Sequence, residues 1–313
     1  MLRGRSAWLL GLLLVAQMGM AASFPERPLT MIIGYAAGGS TDLQGRVLAQ
    51  VLEEQLGQPV SVNNLPGAGG AAATAMLASS LEQGYVFQFG GSSVVSIAPL
   101  LSPASYGVDS FTYVAGMSLE QPAFVTGAKR GINDWPGLLA YLRTNPGQVY
   151  VSQAAEDRLI LRAIAKREGL QLRTVPTSGG AGMAPLVISG DAVFAYSGGT
   201  HTGYTASGEM RVLASLADQR LLGYPEAPTL RELGYELGLQ TMRIVMVPAN
   251  TPAEQVEVLA NALAAAARDP RFIEVTEQRI RQPVTFMRGD EIKPVLLRQM
   301  HEYRTLIDEI GLH

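Results

Sequence analysis

The sequence predicts an α/β protein built as two similar halves. Three observations carry this: short apolar runs of strand length, intervening segments with helically spaced apolar residues, and a restart of that alternation near Ala123. At 313 residues the chain exceeds one small core and suffices for two domains of about 100–200 residues each.

Residues 29–34 form an uninterrupted apolar run, as in a strand buried on both faces. Beyond a loop at 35–39, apolar residues recur at Leu43, Val47, Leu48, Val51, Leu52 and Leu56. This spacing is helical, with Ser40 or Thr41 as N-cap and Gly57 as the stop. Residues 60–62 give the next strand, 70–80 a helix of small residues, and 85–89 a third strand that ends in Gly90-Gly91-Ser92-Ser93. The βαβαβ order implies a parallel sheet with helices on both faces.

The pattern then restarts with a strand at 123–126. Asp134-Trp135-Pro136 opens a helix to Asn145, with proline in its first turn. Strands follow at 149–152, 173–176, 192–196 and 211–214, separated in part by helices at 156–168 and 182–189. Thr229 to Leu233 reads as a short helix ended by Gly234. A last strand at 241–247 leads to Pro252, where a helix begins and runs to about Asp269, and 290–310 again has a helical period.

Composition narrows the function. Charged residues make up 16% of the chain, below the roughly 25% of ordinary globular proteins, and the 47% hydrophobic share argues against disorder. The formal charge is −3 with no basic run, so nucleic acid finds no electrostatic footprint. Absence of cysteine removes disulfides, Fe–S clusters, thiol catalysis and a lipoprotein anchor. The histidines, at 201, 301 and 313, are not at metal-ligand spacing, so no metal site or other cofactor is expected.

The N-terminus reads as a cleaved signal peptide, 1–23. Arg3 and Arg5 form a basic region, residues 8–15 an apolar one, and Gly19-Met20-Ala21 offers small residues for cleavage after about Ala21. The apolar run is shorter than the ~20 residues of a spanning helix. Cleavage there leaves 292 residues (313 − 21) with a charge of −5 (22 basic, 27 acidic).

Candidate chemistry lies at strand ends. In open α/β sheets ligands bind beyond the carboxyl ends of strands, where helices begin. Gly38-Gly39-Ser40-Thr41, Gly91-Ser92-Ser93, Thr177-Ser178-Gly179-Gly180 and Ser197-Gly198-Gly199-Thr200 all sit at such ends. Glycines admit a ligand close to backbone N–H groups, and a helix N-terminus carries about half a positive charge, so these loops suit an anion. Loop chemistry alone also places Gly and Ser at turns, but several such loops at strand ends favour a site.

Sharper motifs are missing. Gly67-Ala68-Gly69-Gly70-Ala71-Ala72 fits a dinucleotide pattern, yet Pro66 breaks the turn and no acid follows about 20 residues on. No P-loop lysine and no Gly-x-Ser-x-Gly elbow occur. An exported hydrolase would have to pair Ser197 or Thr200 with His201, which otherwise serves as a cleft-wall hydrogen-bond donor. Asp42, in a helix's first turn, caps backbone amides, orients a water or meets a ligand amine. Arg243 interrupts an apolar strand and needs either a protein acid or a ligand carboxylate gripped bidentately.

The chain resembles the Bug (TctC-like) family of periplasmic solute receptors of tripartite tricarboxylate transporters. The resemblance runs through Phe24-Pro25-Glu26-Arg27-Pro28, Tyr35-Ala36-Ala37-Gly38-Gly39-Ser40-Thr41-Asp42, Leu56-Gly57-Gln58-Pro59-Val60, Asn64-Leu65-Pro66-Gly67-Ala68-Gly69-Gly70 and Gly84-Tyr85. It resumes at Val175-Pro176, Gly190-Asp191, Arg211-Val212-Leu213-Ala214, Tyr224-Pro225-Glu226-Ala227-Pro228-Thr229-Leu230 and Val247-Pro248-Ala249-Asn250-Thr251-Pro252, and so spans essentially the mature chain.

This resemblance implies a two-lobed periplasmic-binding-protein (flytrap) fold with a doubly wound sheet in each lobe. Lobe 1 takes 24–125 and 243–313, and lobe 2 takes 126–242. It also implies a monomer without catalysis, which captures a small organic carboxylate between two loops, partly through water. The first lobe would contribute Tyr35, Ala37, Gly38, Gly39, Ser40, Thr41 and Asp42 with Ser92 and Ser93. The second would contribute Ser152-Gln153-Ala154, Thr177-Ser178-Gly179 and Ser197-Gly198, with Arg243 between. Pro176-Thr177-Ser178-Gly179 stands where the family commonly has Pro-Tyr-Lys-Gly, Ser197-Gly198 where it often has Asp-Asn, and residues 153–157 replace a Gly-rich loop. Met242 replaces the aromatic that precedes the arginine in the tricarboxylate branch. Delivery to membrane transporter subunits is the implied role, with a sensor kinase as the alternative partner.

Overall fold

The computed structural model describes residues 24–311, so the signal-peptide expectation lies outside the described residues. Strand β1 (Leu29–Ile33) feeds helix α1 (Ser40–Leu56), then β2 (Val60–Asn64), α2 (Ala71–Ala78) and β3 (Val86–Gly91). Two short helices, α3 (Ser93–Ser96) and α4 (Ala98–Leu101), precede β4 (Phe111–Leu119). The next run is β5 (Ala123–Gly127), α5 (Trp135–Thr144), β6 (Gln148–Ser152), α6 (Ala155–Glu168), β7 (Leu172–Pro176), α7 (Gly180–Ser189), β8 (Phe194–Ser197), α8 (His201–Ala206) and β9 (Met210–Ser215). Strand β10 (Met242–Pro248), α9 (Ala253–Ala266), α10 (Pro270–Ile273), β11 (Val284–Arg288) and α11 (Gly289–Ile310) complete the chain.

Two sheets result, in orders β11-β4-β10-β3-β1-β2 and β7-β6-β8-β5-β9. The parallel core expected of the βαβαβ order is present, since β1 pairs parallel with both β2 and β3. Neither sheet is wholly parallel, however. Strand β10 inserts antiparallel between β3 and β4, and β5 lies antiparallel between β8 and β9. The late strand β10 therefore completes the sheet that β1 begins.

Strand alternation builds a core on each face of each sheet. In the first, Met31 and Ile33 pack with Phe87, Phe89 and Leu263, while Ile32 faces Leu77, Val95 and Ile244. In the second, Phe124, Tyr150 and Phe194 pack with Trp135 and Ile160, while Val125, Val151 and Ala195 meet Met183 and Val187. Helix α11 joins both: Ile292 and Leu296 belong to a first-sheet core, Tyr303 and Ile307 to a second-sheet core.

The chain passes between sheets over residues 120–122 and returns over 216–241. The two passages meet where the Glu120 N–H donates to the Thr241 carbonyl at 2.9 Å.

Several elements differ from the sequence expectation. Gly39 is the N-cap of α1 and Ser40 its first residue, with no side-chain cap bond, whereas Gly57 closes the helix in the left-handed region at φ +66°. Thr229 to Leu233 forms turns, not a helix. Thr229 bridges Ser215 in sheet-like pairing, and so short a segment does not nucleate a helix unaided. Strands β4 and β11 were not anticipated; β4 is nine residues long and pairs with both β10 and β11. Among the described residues, no helix is long and apolar enough to cross a membrane.

Candidate functional site

The two sheets meet around a small, partly open cavity of about 30 Å³. On one side it is walled by Tyr35, just beyond β1, by Gly39, Ser40 and Thr41 at the start of α1, and by Arg243 of β10. Opposite stand Gln153, Ala154, Tyr196 and Gly198, from beyond β6 and the end of β8. These are sequence-predicted residues apart from Tyr196. Gly180 and Thr200 of the predicted strand-end loops also line the wall, and the structure adds Glu120 and Glu156.

The volume admits water but is tight for anything larger. An organic acid enters only if the facing loops separate. They touch directly here: the Ala36 N–H donates to the Ser178 carbonyl at 3.0 Å, and the Ser40 N–H to Thr200 Oγ1 at 3.2 Å. Ser93 Oγ donates to Glu156 Oε1 at 2.8 Å across the same divide. The Gly198 carbonyl gathers three donors, Gln282 Nε2 at 2.9 Å, Arg243 Nη2 at 3.3 Å and Ser40 Oγ at 3.4 Å.

Arg243 is the largest fully buried side chain and is 1% exposed. Its Nη1 donates to Gln44 Oε1 at 2.8 Å, its Nη2 to Ser40 Oγ at 2.8 Å, and its Nε faces Glu120 Oε1 at 3.5 Å. Glu120 is thus the protein acid beside the guanidinium. Gln44 is itself held through Nε2 by Thr276 and Ser118, so a buried polar chain fixes the guanidinium.

Asp42 points away from the cavity. Its carboxylate accepts from the Gly38 N–H at 2.8 Å and from Asn64 Nδ2 at 2.9 Å, and it pairs with Arg46 at 2.9 Å. Burial opposes its ionisation, but Arg46 and the two N–H donors win and hold the acid below its ordinary range. Capping is thus the role its contacts give it, and Gly38, at φ +83°, supplies the tight turn.

Other predicted residues support the wall without lining it. Ser92 Oγ accepts the Met242 N–H, and Ser152 Oγ donates to the Ala154 carbonyl. Thr177 Oγ1 donates to the Ser152 carbonyl, and Gly179 packs on the Tyr35 ring. Ala37 and Ser178 lie on the touching loops. His201 Nδ1 sits 3.0 Å from Ser197 Oγ, so the serine–histidine pair that a hydrolase would need is formed, but neither residue lines the cavity. Burial lowers the imidazole to about 3, which keeps it neutral.

Glu156 and Glu120 escaped the sequence reading. Glu156 stands in the first turn of α6, where an acid ordinarily complements the helix dipole, so its local sequence does not mark it. Its neighbour Asp157 fills the capping role by accepting the Gln153 and Ala154 N–H groups at 2.7 and 2.8 Å. Glu156 is 3% exposed, and burial, reinforced by Asp157, pushes it up to about 7. The phenols of Tyr35 and Tyr196 are pushed up by burial and by Glu156, so both stay neutral.

Comparison with known proteins agrees with this architecture. Residues 45–312 match the family described as tripartite tricarboxylate transporter family receptor. Protein BugT of Bordetella pertussis is 30% identical over 319 aligned positions, covering 95% of each chain. The solved periplasmic binding protein BugD is 25% identical with a TM-score of 0.84 over 93% of this chain and 99% of its own. MatC of Rhodopseudomonas palustris, solved with bound malate, shares the fold at 20% identity and a TM-score of 0.81, covering 91% of this chain and all (100%) of its own.

Proposed function

This chain belongs to the tripartite tricarboxylate transporter receptors, and on that premise we propose that it captures a small organic carboxylate in the periplasm and delivers it to a tripartite membrane transporter. The observation that carries the reading is the cavity itself. It lies beyond the carboxyl ends of strands from both sheets, with the start of α1 in its wall. The malate bound to MatC supports a carboxylate as the cargo.

The cycle follows from the contacts. With the loops apart, Gly39, Ser40 and Thr41 present the positive end of α1 to a carboxylate. Closure brings Gln153, Tyr196 and Thr200 over it, excludes water and strengthens each hydrogen bond. Ligand shifts the population to the closed form only by binding that form more tightly, and the membrane partner then distinguishes closed from open. Held apart from the cavity, the Ser197–His201 pair has no role in this cycle.

A thermal-shift screen of the exported protein against organic acids, amino acids, sugars and phosphate tests capture. A ligand at 100 times its Kd adds about 2.7 kcal/mol to the folded state, a readily measured shift. Stabilisation by a carboxylate supports the reading. A response confined to sugars or phosphate overturns it. Delivery is tested by uptake of that ligand in membranes with and without the receptor, and a sensor kinase responding instead would replace the transporter.

A further inference from the structure

We propose that the captured acid also carries an ammonium group, and that Glu156 is the residue that reads it. The inference rests on the reading that the cavity takes a small carboxylate, and adds the charge of the ligand's other end.

Charge balance in a confined space points to the ammonium. The charged residues of the wall are Glu120, Glu156 and Arg243, two acids against one base; behind Glu156 lies the buried Asp157, with the positive charge of Arg158 near it. Arg243 is already shared among Glu120, Gln44, Ser40 and the Gly198 carbonyl. Among the described residues, Glu156 forms no ion pair, and its carboxylate is held by the neutral Ser93 hydroxyl and its own backbone N–H. Asp157 is partnered differently, by the backbone N–H groups of its own capping turn.

A carboxylate buried without a counter-charge is costly, and a second carboxylate on the ligand would add to the imbalance. An ammonium removes it. Tyr35 and Tyr196 also line the cavity, and an aromatic ring face attracts a cation placed over it. The ligand's carboxylate then lies toward the α1 N-terminus and its ammonium toward Glu156. A receptor built this way discriminates an amino acid from the diacid of the same length by an unpaired buried charge, the strongest form of rejection a closed site has.

The experiment is calorimetric titration of the full exported chain at pH 8 with matched pairs: butyrate and 4-aminobutyrate, succinate and aspartate, glutarate and glutamate. The expected result is at least one pair in which the amino member binds ten-fold or more tighter. Glu156→Gln, which preserves shape, should erase that preference while its melting curve shows a folded protein. The wild type supplies a second readout: affinity for the amino member should rise from pH 6 to pH 8, as Glu156 ionises beside Glu120, Asp157 and Arg243. If diacids bind and their amino partners bind no tighter, or if Glu156→Gln leaves the preference intact, the ammonium inference falls and carboxylate capture stands. If no member of any pair binds while a sugar or phosphate does, carboxylate capture falls with it.

Discussion

Gly69 stands so close to Ala154 across the divide between the two sheets that a Cβ on Gly69 would lie 2.8 Å from the Ala154 Cα. Both residues belong to backbone rather than to flexible side chains, so the clash is relieved only by separation of the facing loops. Gly69→Ala should therefore hold the cleft ajar. Its φ of +67° adds about 1–2 kcal/mol of local strain. We expect a modest loss of melting temperature without ligand and a loss of most of the ligand-induced shift, with a larger radius of gyration by X-ray scattering in saturating ligand. A variant that closes and binds normally would show that this contact does not limit closure.

Gly39 tests the anion cradle. A Cβ there meets nothing nearer than 3.5 Å, so Gly39→Ala should fold and bind nearly as the wild type does. Gly39→Leu should fold too, yet fill a cavity of about 30 Å³ and abolish binding. Unchanged affinity in Gly39→Leu, read by calorimetry, would remove the start of α1 from the site.

Arg243 is a stability determinant as well as a wall residue. Arg243→Met would leave Glu120 without its guanidinium and Gln44 Oε1 and Ser40 Oγ without a donor. Removing one partner of such a buried pair costs about 3–5 kcal/mol. Urea unfolding should register a fall of that order.

The pH dependence of stability separates two opposing groups. Glu156, raised from 4.5 to about 7, and Asp157, raised from 3.8 to about 6, take up protons on folding, so their contribution is lost as pH rises through those windows. His201, lowered from 6.5 to about 3, contributes stability above 6.5 that is lost as pH falls. The slopes oppose each other on the acid side. Between pH 6.5 and 7.5 the His201 contribution is still levelling off and partly offsets the decline, which belongs chiefly to Glu156. Glu156→Gln should flatten that decline in urea midpoints measured from pH 6.5 to 8, and a decline that persists would assign it elsewhere.

Much of the fold was legible in local pattern. The apolar run at β1, the helical spacing of Leu48 and Leu52, and the Asp134 cap, which accepts the Gly137 N–H at 2.8 Å, all depend on neighbours in the chain. The loops at strand ends were legible too, because glycine and hydroxyl residues mark them. Strand β4 carries a β-rich composition of its own but falls outside a βαβ repeat, so the alternation does not mark it.

What the sequence by itself determined is the α/β class, the two-part organisation, the glycine loops and a buried arginine needing a partner. These follow from periodicity, turn chemistry and the cost of burying charge, all of which act within a few residues. Only the tertiary structure decided which charges share the cavity. Arg243 reaches Ser40 across 203 positions, and Ser93 meets Glu156 across 63. An acid in a helix's first turn reads identically whether it faces solvent or a closed cleft. The difference lies in burial and in the absence of a counter-charge, and neither exists until two distant segments pack together.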